Sequence, residues 1–246
     1  MADASASSRQ ALGVYALVCV AVVVVTRLGA STALGPYIHL AVAAIFLLTA
    51  LRLTRRDPRH YGVALGGLLE PSDDDRPRGP LGSFDLARAC WRAVPSAVRE
   101  LGAALGVAAV IFPLYAVGFY LWTEPVHSFS LTFPPDLLNL ALAQLVVVAL
   151  PEEAFFRGYL QTSFSDADSS RIRVLGVSLA PWALVTQAVL FAIIHLVAEP
   201  HPARLAVFFP ALLFGWVREW RGGIGAALAL HAMSNLYSEI LTRSWL

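Results

Sequence analysis

Lysine is absent from this chain of 246 residues, and all 18 of its basic residues are arginine. We read that as genome composition rather than chemistry, of a kind that points to a bacterial source. Charge of either sign is scarce: 14% of residues are charged against 57% hydrophobic, with a mean hydropathy of +0.65. A water-soluble core cannot absorb so much apolar side chain, so lipid must cover part of the surface. A formal net charge of +1 supplies no field for nucleic acid, and the phosphate-cradling glycine motifs of soluble nucleotide enzymes are missing. Cysteine is nearly absent as well. Cys19 and Cys90 lie in segments of different kind, which excludes a disulfide framework and a thiolate metal site.

What is there is a series of charge-free runs. A bilayer core of about 30 Å needs about 20 apolar helical residues, and seven runs qualify: 10–26, 36–51, 101–123, 137–159, 174–198, 205–217 and 222–238. The expected fold class is all-α, a polytopic helical membrane protein with about seven transmembrane helices. The sixth run is short and carries Pro210, so a tilted, broken or re-entrant helix is expected there. The first run resembles a signal-peptide core, with Ser31-Thr32-Ala33 as a cleavage pattern. A lone Arg9 before it and a second span close behind favour retention.

Arginine distribution sets the orientation. With the N-terminus inside, Arg9, the block from Arg52 to Arg99, Arg171, Arg173, Arg218 and Arg221 are cytoplasmic. That is 14 of the 18 arginines. Residues 124–136 hold no basic residue, as an exported loop should. A multi-pass protein of the bacterial inner membrane, N-terminus cytoplasmic, follows as the expectation.

The only long polar connection spans residues 52–100. Its middle, Glu70 to Pro80, reads as a flexible loop. Beyond it, Phe84, Ala87, Trp91, Val94, Val98 and Leu101 share one helical face, with Arg88, Arg92 and Arg99 elsewhere. That pattern suits one interfacial amphipathic helix on the inner leaflet. Two parts of one integral domain are expected: residues 1–135, and a core at residues 136–246 that holds the chemistry.

Ionisable side chains inside a span are expensive and mark function by default. The fourth run contains Glu152, Glu153 and Arg157 as its only charges. Glu153 and Arg157 are four apart with the acid first, the favourable helical pairing, while Glu152 is rotated by about 100° toward a different surface. Pro151 removes a backbone donor and bends the helix just before the acids. The fifth run carries Phe191 and His195 four apart, and the seventh carries His231 and Asn235 four apart. A lone histidine in an apolar helix is more often a packed residue than a catalyst. Two acids, two imidazoles, an arginine and a carboxamide in three spans are better served by one shared wet cavity. A carboxylate and an imidazole converging on water make a general base, and an amide with a second imidazole can donate to an oxyanion. No serine elbow, nucleophilic cysteine pattern or H-E-x-x-H is present. On the span labelled 174–198, His195 falls about 12 Å beyond the midpoint, so tilt, a kink or a different boundary must close the gap. His39, His60, His127 and His201 lie near loops or span ends and read as interfacial or solvated. The tryptophans near span ends read as an aromatic belt.

Glu152-Glu153-x-x-x-Arg157, Phe191-x-x-x-His195 and His231-x-x-x-Asn235, in this order over roughly residues 137–240, resemble the three-motif signature of the CAAX protease and bacteriocin-processing family, also known as Abi. The resemblance implies a helical intramembrane endopeptidase (a hydrolase). In it Glu152 and His195 activate water, His231 and Asn235 bind the oxyanion, and Glu153, Arg157 and Phe191 support the site. The family has been described both as glutamate-type and as metal-dependent. A zinc would take Glu152, His195 and His231, but the metal-free form is favoured because the Glu–Arg pair already offsets part of the negative charge. Partners are the bilayer and a membrane-associated protein or peptide. Exported or membrane-anchored proteins, bacteriocin-type peptides, and the C-terminal sorting signals removed by the myxosortase-like branch are the candidates. A prenylated substrate is not expected in a bacterium. Two other readings remain at this stage: a non-catalytic immunity or scaffold protein of the same fold, and a proton-coupled transporter, which missing inverted repeats disfavour.

Overall fold

The computed structural model describes residues 2–30, 32–33, 35–68 and 86–246. The expected loop Glu70 to Pro80 and Phe84 lie outside them, as does the side chain of Ala87. Seven helices run through the described residues: α1 (Ala2–Ala30), α2 (Ile38–Thr54), α3 (Leu86–Thr123), α4 (Leu137–Ala167), α5 (Pro181–Ala198), α6 (Phe208–Arg221) and α7 (Gly225–Trp245). The all-α polytopic membrane fold stands. Spans Ser8–Gly29, Gly35–Thr54, Arg88–Thr123, Leu137–Ala167 and Pro181–Ala198 are long and apolar enough to cross a membrane. At 14 residues, α6 reaches only about 21 Å. Pro210 sits in its first turn, where a missing N–H leaves no bond unmade.

Two sequence boundaries move. The fifth helix does not begin at Val174. Residues Ile172–Val174 (β1) and Val177–Leu179 (β2) form an antiparallel hairpin instead. Leu175 and Gly176 turn it with φ of 51° and 81°, the left-handed pair a two-residue hairpin turn requires. Periodicity cannot separate a short apolar strand from helix, and Pro181, at the first helical position, is the true start. His195 then lies roughly 8 Å past the midpoint of α5, not 12 Å. The amphipathic stretch is likewise no separate interfacial helix. It continues through Pro95 and Pro113 as the first half of α3. Its packed face is the small one, Ala89 and Ala93, with Ala93 and Ser96 set against the turn at Gly66. Trp91, Val94, Val98 and Leu101 point outward.

Most of the described arginines collect at one end of the bundle. Residues 55–68 cross that end, with the Ile224 amide donating to the Gly62 carbonyl at 2.9 Å, His60 paired with Asp166, and Arg221 gripping Glu100 through two nitrogens at 2.8 and 3.1 Å. At the opposite end residues 130–132 are strapped to α7 by the Ser130 and Thr132 amides, which donate to the Ser244 carbonyl and hydroxyl. One core joins α1, α2, the second half of α4, α5 and α6; a smaller one joins α3, α6 and α7. The Tyr15 hydroxyl donates to the Leu190 carbonyl at 2.8 Å, pinning α1 to α5.

Candidate functional site

Helix α4 is not a plain α-helix. Gln144–Ala149 and Glu153–Gln161 are wound with wide i→i+5 turns, and the single tight turn Leu150–Glu152 lies between them. Such turns are frequent at functional sites, and Pro151, which has no N–H to donate, stands in the tight turn. Burial changes sharply here. Every residue from 153 to 164 is buried, whereas residues 137–148 are all partly or fully exposed.

Glu153 and Arg157 form the expected ion pair at 2.9 Å, both side chains wholly buried. No aligned hydrogen bond joins that arginine nitrogen to the acid, so the contact is chiefly ionic. Arg157 is also held between two rings, its guanidinium 4.4 Å from the Phe191 centroid and 5.3 Å from that of Phe214. Such stacking suits a desolvated cation. Glu153 also accepts from His231 Nδ1 at 2.8 Å. A carboxylate only accepts, so Nδ1 carries the hydrogen and Nε2 is left on the far side of the ring. There Glu152 Oε2 stands 3.8 Å from Nε2, making no hydrogen bond within the protein. Two consecutive carboxylates thus bracket one imidazole, and the ring stacks on Phe214 at 4.8 Å.

Phe191 is the hub of the aromatic contacts. Its centroid is 4.4 Å from the His195 ring and 6.1 Å from the His231 ring, so the two imidazoles flank one phenyl. His195 Nδ1 lies 2.7 Å from the Phe191 carbonyl. A carbonyl only accepts, which places the hydrogen on Nδ1 and a free lone pair on Nε2. Asn235 donates to Gln144 Oε1 at 2.8 Å and keeps a second N–H. The structure therefore gathers Glu152, Glu153, Arg157, Phe191 and His231 in direct contact. His195 joins them through Phe191, and Asn235 joins α4 through Gln144 rather than through either acid.

Glu152 also forms part of the wall of a cleft of about 340 Å³ between α2 and α4, together with Gly35, His39, Val42, Phe46, Val147 and Pro151. That volume falls within the usual range of ligand pockets, about 300–1,000 Å³. Its lining is apolar apart from His39 and Glu152.

Glu152, His195 and His231 do not fit zinc. Among the described residues no three His, Cys, Asp or Glu side chains converge at ligating distance. No step is derived through a metal.

Sequence reasoning overlooked two partners. Gln144 was detectable, since it and Asn139 are the only polar residues in the run 137–151. Phe214 carries no sequence signal, being one phenylalanine among 13. Gln187 is a further buried polar group: its amide donates to the Ala211 carbonyl at 3.1 Å, the same oxygen that Arg157 Nη2 reaches at 3.4 Å.

Residues 134–237 match the family model described as type II CAAX prenyl endopeptidase Rce1-like. That segment holds all three motifs, with every residue placed above in the contact set. No curated protein and no solved structure matches the chain.

Proposed function

We propose that this chain, whose residues 134–237 match the family model of the Rce1-like type II CAAX prenyl endopeptidases, hydrolyses a peptide bond of a membrane-associated protein or peptide with the groups just described. The observation that carries the reading is the placement of Glu152: a carboxylate with an oxygen unbonded by the protein, in the wall of a cleft, 3.8 Å from an imidazole nitrogen.

In this mechanism a water bound beside Glu152 loses one proton to the carboxylate, while Nε2 of His195 accepts a hydrogen bond from the same water and orients it. The water oxygen adds to the scissile carbonyl carbon. The carbonyl oxygen becomes an oxyanion, met by the second N–H of Asn235 and by Nε2–H of His231 as imidazolium. Collapse re-forms the carbonyl, breaks the C–N bond and passes the held proton to the departing amine. Glu153 and Arg157 are positioning residues. They hold the His231 ring through Nδ1 and keep its Nε2 turned toward Glu152. Residues 1–135 contribute α2 as the facing wall, and residues 136–246 carry the chemistry. The membrane is the bacterial inner membrane, with the arginine-bearing end cytoplasmic.

The test compares membrane proteomes of a deletion strain and a Glu152→Gln strain in the native host. Loss of the general base lowers cleavage by about 10²–10⁴-fold, so both strains should accumulate the same uncleaved precursor. Normal processing in the Glu152→Gln strain would overturn the assignment. A deletion phenotype fully rescued by Glu152→Gln would indicate a binding protein instead.

A further inference from the structure

The cleft beside Glu152 does not open equally toward both ends of the bundle. On the arginine-bearing side the path is filled. Residues 153–164 of α4 are buried without interruption, and beyond the Glu153–Arg157 pair lies a packed polar layer. There the Gln161 amide donates to the Gly215 carbonyl at 3.0 Å and to Glu219 at 2.8 Å, and Arg218 donates to the Thr162 hydroxyl. Residues 55–68 close over this layer, with Val63 1% exposed against Gly158.

On the other side the polar groups are open. Gln144, His195 and Asn235 are all half-buried, with Asn235 bonded to Gln144 and His195 to the Phe191 carbonyl. The cleft runs the same way, from Glu152 to Gly35 and the exposed His39 at the far end of α2.

Charge tells which face this is. Residues 124–136, on the open side, contain no basic residue. Of the described arginines only Arg27, Arg204 and Arg243 lie on that side, and the positive-inside rule counts basic residues rather than net charge. The positive-inside rule makes the sealed end cytoplasmic and the open end exported.

We propose that the cleft is loaded from the exported face by an extended apolar segment of a membrane-anchored exported protein, and that His39 contacts this segment at the mouth. The aliphatic and aromatic walls suit apolar side chains. His39 offers a hydrogen-bonding group to the peptide backbone beside them, and the α2–α4 gap lets the segment arrive while its anchor stays in lipid. What happens to the segment rests on the hydrolase reading; the side from which it arrives does not.

The test uses the full chain with Cys19 and Cys90 replaced by alanine, and one new cysteine at a time: His39→Cys at the mouth, Val147→Cys inside the cleft, and Arg56→Cys at the sealed end. A membrane-impermeant maleimide is applied to spheroplasts and, separately, to inside-out vesicles. Cysteines at 39 and 147 should react in spheroplasts and lose their labelling in inside-out vesicles, with the cysteine at 56 showing the reverse. Labelling of 39 and 147 from the arginine-bearing face, from both faces or from neither overturns the proposal. So does labelling of 56 in spheroplasts. In native-host spheroplasts, a polymer-bearing maleimide on the cysteine at 39 should accumulate the precursor seen with Glu152→Gln. A fully labelled site with unchanged processing removes His39 from the substrate path. If Glu152→Gln accumulates nothing while the labelling pattern holds, the hydrolase reading fails and the outward opening survives.

Discussion

A buried ion pair is held in place by what its removal would expose. Glu153 and Arg157 are wholly buried, and stripping one partner from such a pair costs about 3–5 kcal/mol because the other charge is left uncompensated. Glu153→Gln should therefore lower thermal stability in detergent markedly. The double variant Glu153→Leu/Arg157→Met should recover much of the loss, because no orphan charge remains. Activity separates the two effects. Glu153 also orients His231 through Nδ1, so the double variant should regain stability without regaining proteolysis. Recovery of both would show that the pair is structural alone. At this scale the sequence reveals residue types and spacings: the acid–arginine pairing four apart was legible because helix geometry makes it so. That both carboxylates would bracket one imidazole was not, since His231 lies 78 positions from Glu153 and nothing local encodes the approach.

Helices α4, α5 and α6 meet at a point where only hydrogen fits. A Cβ on Gly215 would stand 2.5 Å from Leu184 Cδ1, 2.7 Å from Gln187 Nε2 and 2.8 Å from Gln161 Oε1. Gly215→Ala must push α6 away or break the amides bridging it to α4 and α5. A loss of about 1–3 kcal/mol is expected from overpacking, read as a lowered unfolding temperature in detergent, and an unchanged midpoint would contradict the packing described. Sequence patterning located these helices but misplaced the start of α5. The run from Val174 is apolar and uncharged, so it reads as membrane span, and only the Leu175–Gly176 turn betrays the hairpin. It also detached the amphipathic stretch from α3. Composition changes there, yet the backbone stays helical, and Ala93 and Ser96 pack on the Gly66 turn.

Across the whole molecule, closure of one end depends on backbone meeting backbone. Gly62 adopts φ of 67°, and a Cβ there would lie 2.8 Å from the Gly223 Cα. Gly62→Ala meets both the left-handed penalty and an unyielding neighbour, so residues 55–68 should lift from the bundle. Hydrogen exchange of the amides in 153–164 should accelerate relative to wild type, and unchanged exchange would show that the seal does not depend on this contact. The sequence by itself determined that the chain spans a membrane, roughly where, with which end arginine-rich, and which ionisable residues lie inside the lipid. Those facts follow from transfer energies and local periodicity, which need no partner to be read. Tertiary structure decided the rest. It set which imidazole faces which acid, turned Phe191 and Phe214 into the clamp around Arg157, and closed the bundle at one end while leaving Glu152 open toward the other. Each of these depends on helices far apart in the chain arriving at a particular depth and rotation, and that information exists only once they pack.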